Sequence, residues 1–253
     1  MKKSNKIILI LAAILFITGL AFSVTGMIKG ASPMAMLYDG KLSVSLPEDN
    51  VNAFEESNRY ALPASGINHI DISWISGTVS VIPYEGKEII LEESSTEKIT
   101  EDEGLKFTLE EGELEISSKR KITLVPFRSN LIHKDLVVKV PYALNEISVD
   151  TVSGDFYLEG VSADHVEFDS VSGNFRGEFK VMPEKMEIET VSGDGTVYLP
   201  EEAEFRASLS CLSGKITSDL PGTLSDKYFI SGDGTGKIEM DSVSGNLNLE
   251  VLK

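Results

Sequence analysis

The stretch "TVSGD" at residues 151–155 returns as "SVSGN" (170–174), "TVSGD" (190–194), "CLSGK" (211–215) and "SVSGN" (242–246). Counting an earlier copy, the repeats centre on Ser76, Ser153, Ser172, Ser192, Ser213 and Ser244. From Ser153 to Ser213 the spacings are 19, 20 and 21 residues, and the last is 31. A period near 20 falls in the range of stacked-repeat folds.

With the serine as zero, position −6 holds Ile70, Ile147, Val166, Met186, Ala207 and Ile238. Position −4 holds Ile72, Val149, Phe168, Ile188, Leu209 and Met240. After the serine, position +3 holds Val79, Phe156, Phe175, Ile216 and Leu247, and position +5 holds Val81, Leu158, Val197 and Leu249 with the small Gly177 and Ser218. The third copy has Gly195 where this column is disturbed. A branched aliphatic also precedes each serine: Ile75, Val152, Val171, Val191, Leu212 and Val243.

The even positions before the serine and the odd positions after it cannot share one face of an uninterrupted strand, because side chains alternate. The chain must slip phase by one residue near Val-Ser-Gly, through a bulge or sharp corner. Glycine suits such a corner because it accepts positive φ. The pairs Ser76–Gly77, Ser153–Gly154, Ser172–Gly173, Ser192–Gly193, Ser213–Gly214 and Ser244–Gly245 are therefore read as bends and not as reactive groups.

One strand–bend–strand unit cannot bury its own apolar face, so units should stack in parallel about 4.8 Å apart. The expected fold is all-β: a short parallel β-solenoid or β-roll over residues 142–253, with an irregular first part over 67–141. An antiparallel β-sandwich is the alternative, since regular short strands also suggest one. In the first part, "LKFTLEEGELEISS" reads as a hairpin turning at Glu111–Gly112, and "KDLVVKVP" as a strand.

Stacking in chain order aligns Asp155, Asn174, Asp194, Lys215 and Asn246 two after the serine, a column that separates like charges. Three before it, Asp150, Asp169 and Glu189 fall in line, followed by Ser210 and Asp241. Such a row either faces water or holds a cation, and these three are the weak calcium candidates.

Residues 1–30 hold four of the 23 basic residues and none of the 40 acidic ones. Lys2, Lys3 and Lys6 precede an uncharged apolar run from Ile7 to Ile28, roughly 33 Å long as a helix and matched to a bilayer core. Residues 1–6 are expected in the cytoplasm, 7–28 across the membrane, 29–66 as a spacer and 67–253 as a domain outside the cell. A cleaved signal peptide is the rival, with a small-residue site at Ala21 and Ser23, but the run is long for one. The spacer has one candidate short strand around Leu42–Leu46.

Beyond residue 30 the chain carries 19 basic against 40 acidic residues. Such a surface repels phosphates, so a nucleic-acid partner is not expected, whereas cations or cationic peptides would be attracted. Cys211 is the single cysteine, so no internal disulfide forms; it takes the repeat position of Thr151, Ser170, Thr190 and Ser242 and reads as a small buried stand-in.

No cofactor or catalytic residue is expected. The repeated serines lack a recurring base, since His69, His133 and His165 do not follow the repeat, and the histidines show no zinc spacing. "SGDGTGKIEM" (231–240) fails the phosphate-loop pattern at Ser231 and Ile238 and reads as a glycine-rich turn. An extracellular polysaccharide-active β-helix enzyme using paired carboxylates is the alternative function.

"VPYALNEISVDTVSGDFYLEGV", followed by further VSG[DN] copies, resembles the bacterial putative-adhesin family of β-strand-repeat domains of unknown function. The resemblance covers roughly residues 67–253. It implies a Gram-positive, membrane-anchored surface protein in an adhesin-like, envelope-sensing or structural role, with no catalytic residues to carry over. Self-association through the last strand, Leu247 to Val251, is also expected, because an edge strand at the terminus would be open to pairing.

Overall fold

The computed structural model describes residues 56–96, 99, 104–118 and 133–253. The expected anchor, the cytoplasmic tail and the strand around Leu42–Leu46 lie outside the described residues. Among the described residues no helix is long and apolar enough to cross a membrane, and the regular structure is all strand.

The first half contains β1 (Glu56–Pro63), β2 (His69–Pro83), β3 (Glu88–Ser95), β4 (Lys106–Glu110), β5 (Glu113–Ser117), β6 (Lys134–Val140) and β7 (Leu144–Glu159). The second contains β8 (Ala163–Ser172), β9 (Phe175–Glu178), β10 (Lys185–Ser192), β11 (Gly195–Leu199), β12 (Phe205–Ser210) and β13 (Ile216–Ser218). It ends with β14 (Thr223–Leu224), β15 (Tyr228–Ser231), β16 (Gly236–Ser244) and β17 (Leu247–Val251).

Each repeat makes two arms that meet at the Ser-Gly corner. The arms before the corner pair in parallel in the order β2, β7, β8, β10, β16, β12, with Ile70, Ile147, Val166, Met186, Ile238 and Ala207 side by side. The arms after it pair in the order β2, β7, β9, β11, β17, β13, aligning Val79, Phe156, Phe175, Gly195, Leu247 and Ile216. The two layers enclose one core. Phe168 from the first layer stands 5.9 and 6.0 Å from Phe156 and Phe175 of the second, in tilted contact.

The phase slip lies where parity places it. In β7, Ile147, Val149 and Thr151 are buried, Val152 and Ser153 both face outward, and Gly154, Phe156 and Leu158 are buried again. Two successive outward residues shift the alternation by one.

The reason for glycine differs from expectation. Of the six corner glycines only Gly77 and Gly214 have positive φ. The shared requirement is close approach: a Cβ on Gly154, Gly173, Gly193, Gly245 or Gly214 would come within 3.0 Å of the carbonyl oxygen of the neighbouring rung's glycine. Glycines stack on glycines because the corner is too tight for any side chain.

The rung order also differs from chain order. β16 and β17 insert between β10/β11 and β12/β13. β12 already pairs antiparallel with β15, and β15 with β14, so this hairpin caps β12 on its far side and leaves the near side for β16. The hairpin accounts for the longer last repeat, and "SGDGTG" is the turn from β15 into β16.

Two departures from the repeat are compensated by their neighbours. Gly195 leaves room filled by Ile188, Met240 and Leu247, and Gly177 leaves room for the rings of Phe175 and Phe179.

Three expectations at the ends change. β1 lies inside the stretch read as spacer, but it pairs along its length with β3 and so belongs to the domain; its polar, proline-ended sequence hid it. The last strand is not an open edge, because β17 pairs with β11 on one side and β13 on the other, with Leu247 and Leu249 fully buried. Antiparallel pairing is confined to the two ends, and no sandwich of antiparallel sheets forms in the repeat region. The hairpin at Glu111–Gly112 is present as β4 and β5, and both turn residues have positive φ, as a tight hairpin turn requires.

A buried ion pair closes the first end. Glu93 is fully buried; its Oε1 lies 2.9 Å from Lys134 Nζ, and its Oε2 accepts from the Leu105 amide at 3.0 Å. The Trp74 indole N–H donates to the Lys134 carbonyl at 2.8 Å.

Candidate functional site

The Ser-Gly corner carries a continuous hydrogen-bonded ladder on its surface. Two after the serine, the side-chain column runs Asp155, Asn174, Asp194, Asn246, Lys215. The Asp155 Oδ1 accepts from the Asn174 backbone N–H at 2.8 Å, Asn174 Oδ1 from Asp194 N–H at 3.0 Å, Asp194 Oδ1 from Asn246 N–H at 2.7 Å, and Asn246 Oδ1 from Lys215 N–H at 3.2 Å. Asn174 and Asn246 also donate through Nδ2 to the neighbouring aspartate. Asp194 thus sits between two asparagines and Asp155 beside one, and the charge of each is held by hydrogen bonds instead of facing a like charge.

Beneath the corner runs a column of small polar side chains, Thr151, Ser170, Thr190, Ser242 and Cys211. The Thr151 hydroxyl donates to the Gly154 carbonyl at 3.2 Å. A Cβ on the glycine of the same corner would stand only 2.9–3.4 Å from the oxygen or sulfur of these side chains. Cys211 is partly buried against the core, in keeping with a packing role.

Along the outside, Ser172, Ser192, Ser213 and Ser244 with their glycines and Asp155, Asn174, Asp194 and Asn246 line an open polar groove of about 480 Å³. The serines stand one per rung and do not converge on a point. No histidine lines the groove. His69, His133 and His165 instead lie 3.7, 3.7 and 3.6 Å from Glu146, Asp135 and Glu184. The carboxylates that line it, Asp155 and Asp194, both accept hydrogen bonds through Oδ1 from the next rung.

The aliphatic column just before the serines faces outward. Val152 is 55% exposed, Val243 46% and Leu212 88%, with Val171 and Val191 half-buried between them. The signal was present in the sequence: this position breaks the even-numbered alternation that the other apolar positions keep.

On the other flank of this ridge the weak calcium candidates come together. Asp150 pairs in register with Asp169, Asp169 with Glu189, and Glu189 with Asp241. Burial, and then the nearby Asp71 and Glu167, push the Asp150 carboxyl up to about 6. Glu167 is raised too, chiefly by burial and by Glu187 and other acids nearby. Among the described residues no group of three or more His, Cys, Asp or Glu is arranged to hold a metal ion.

The profile of the family described as Toastrack DUF4097 matches residues 23–250. The fold resembles a solved "putative cell adhesion protein" from Clostridium sporogenes, with a TM-score of 0.61 at 15% identity, covering 78% of this chain and 99% of that one. A "putative adhesin" from Bacteroides fragilis also aligns, at a TM-score of 0.41 and 13% identity, over 77% of this chain and 97% of that one. No curated protein matches the sequence.

Proposed function

This chain belongs to the Toastrack DUF4097 family, and on that premise we propose that it is a non-catalytic surface protein whose domain makes adhesin-like contacts outside the cell. Residues 7–28 would anchor it in the membrane with the N-terminus inside, and the stacked rungs would form a short β-solenoid outside the cell.

The observation that carries this reading is the corner. Its aliphatic column is exposed at Val152, Val243 and Leu212 and half-buried at Val171 and Val191, beside an ordered polar ladder, and exposed apolar surface of this kind marks contact sites. Glycoside cleavage would need two carboxylates free to act across a substrate. Asp155 and Asp194 in the groove are instead tied to the amides of their own ladder.

Protease added to intact cells tests the placement. Loss of the domain, with an N-terminal fragment left in the membrane fraction, is expected. A domain protected until lysis would contradict it.

A further inference from the structure

We infer that the corner ridge is the docking site for a basic amphipathic helix of a partner polypeptide. The inference rests on the corner being the contact surface, but not on the membrane anchor.

Val152, Val171, Val191, Val243 and Leu212 occupy adjacent positions in register, as their flanking residues pair Thr151 with Ser170, Ser170 with Thr190 and Ser192 with Ser244, and Ser213 bridges to Ser244. This gives a line of branched aliphatics one rung apart, about 4.8 Å per step. Both flanks are acidic. Asp150, Glu189 and Asp241 lie on the side before the corner, and Asp155 and Asp194 on the side after it. Lys215 and Lys227 stand only at the far rung, beside Leu212.

Apolar ridge and acidic flanks together fix the chemistry of what fits: aliphatic along its centre and basic on both sides. The same flanks repel an anionic lipid surface, and they repel a second copy of this chain laid ridge to ridge. Spacing selects the helix. Its apolar stripe advances about 5.4 Å per turn, close to one rung, so it stays nearly in step along the ridge. Same-side residues of an extended strand recur at roughly 6.6–6.8 Å and fall out of step within two rungs.

The test titrates the full chain, purified in neutral detergent, with a Leu/Lys peptide of helical period, its Leu/Glu counterpart and a sequence-scrambled Leu/Lys control. The Leu/Lys peptide should bind, gain helicity and release as salt rises, while the other two do not bind. Val152→Ser with Val243→Ser should weaken binding on the order of tenfold at unchanged fold by circular dichroism. Asp150→Asn with Asp241→Asn should weaken it similarly and flatten its salt dependence.

Three results would overturn the inference. They are equal binding of the scrambled peptide, unchanged affinity in the ridge variant, and a fall in the protein's own mass on ridge substitution, which would make a second copy the occupant. Failure of this binding leaves the cell-surface placement standing, and failure of the protease-access experiment leaves this binding standing.

Discussion

Gly193 lies against the carbonyl of Gly173 so closely that a Cβ on Gly193 would come within 3.0 Å of that oxygen. The backbone of two rungs meets there with no room for a methyl group. Gly193→Ala must push the rungs apart, at a cost of about 1–3 kcal/mol. For a domain of this size the melting temperature should fall by about 2–4 °C per kcal/mol. Ser192→Ala, one residue away on the open side, should change it little. Equal effects of the two would remove the close-approach argument.

Asp150 makes stability depend on pH. Its folded pKa is raised from 3.8 to about 6, so between these values the folded state holds a proton that the unfolded state has released. Stability from this group therefore falls as pH rises from about 4 to about 6 and stays low above. Glu92 acts oppositely: its hydrogen bond to Lys139 and its contact with Arg59 lower its pKa, and its contribution is lost in stronger acid. Thermal melts should thus be higher near pH 5 than near pH 7.5. Asp150→Asn should raise the value at the higher pH and shrink the difference. A melting point that climbs from about pH 5 to about pH 7.5 would contradict this.

Lys134 and Glu93 form a buried pair whose members cannot be removed separately at low cost. Lys134→Met strands a carboxylate that is fully buried, and should cost about 3–5 kcal/mol in denaturant unfolding. Adding Glu93→Gln to that variant keeps an acceptor for the Leu105 amide and should recover part of the loss. A double variant less stable than Lys134→Met alone would show that the pair is not coupled in this way.

Deleting residues 246–253 should unfold the end of the domain. β17 is paired on both sides, and its Leu247 and Leu249 are fully buried, each worth about 2–5 kcal/mol against alanine. The expected result is a protein that loses its melting transition or aggregates. A stable, well-folded monomer would contradict the placement of this strand.

Much of this domain was legible because parallel stacking turns sequence columns into spatial ones. Ile70, Ile147, Val166 and Met186 align in space as in sequence, and the parity slip announced the corner. The order of the last two rungs was not legible. Nothing local to Ser213 or Ser244 says that β16 slides in beside β10; that follows from the hairpin capping β12, a tertiary event. The glycine column was legible, but the requirement common to its members is close approach and not positive φ, and the approach of Gly173 to Gly193 leaves no trace in a single copy. β1 was missed because "ESNRYALP" is polar and buries little until β3 pairs with it. In the site, the Asx alternation was visible as a column, whereas the exposure of Val152 and Leu212 needed both flanks of the corner.

The stacking of Ser-Gly corners, with the last repeat inserted, is tested most directly by two engineered disulfides in a Cys211→Ser background. Ser192 and Ser244 pair in register on adjacent rungs, within the reach of a disulfide. Ser213 lies one rung further, on the far side of Ser244, about 9.6 Å from Ser192 and beyond the limit of about 7 Å. Ser192→Cys with Ser244→Cys should crosslink within the monomer under mild oxidation, and Ser192→Cys with Ser213→Cys should not. The reverse result, or no crosslink in either, would contradict the stack.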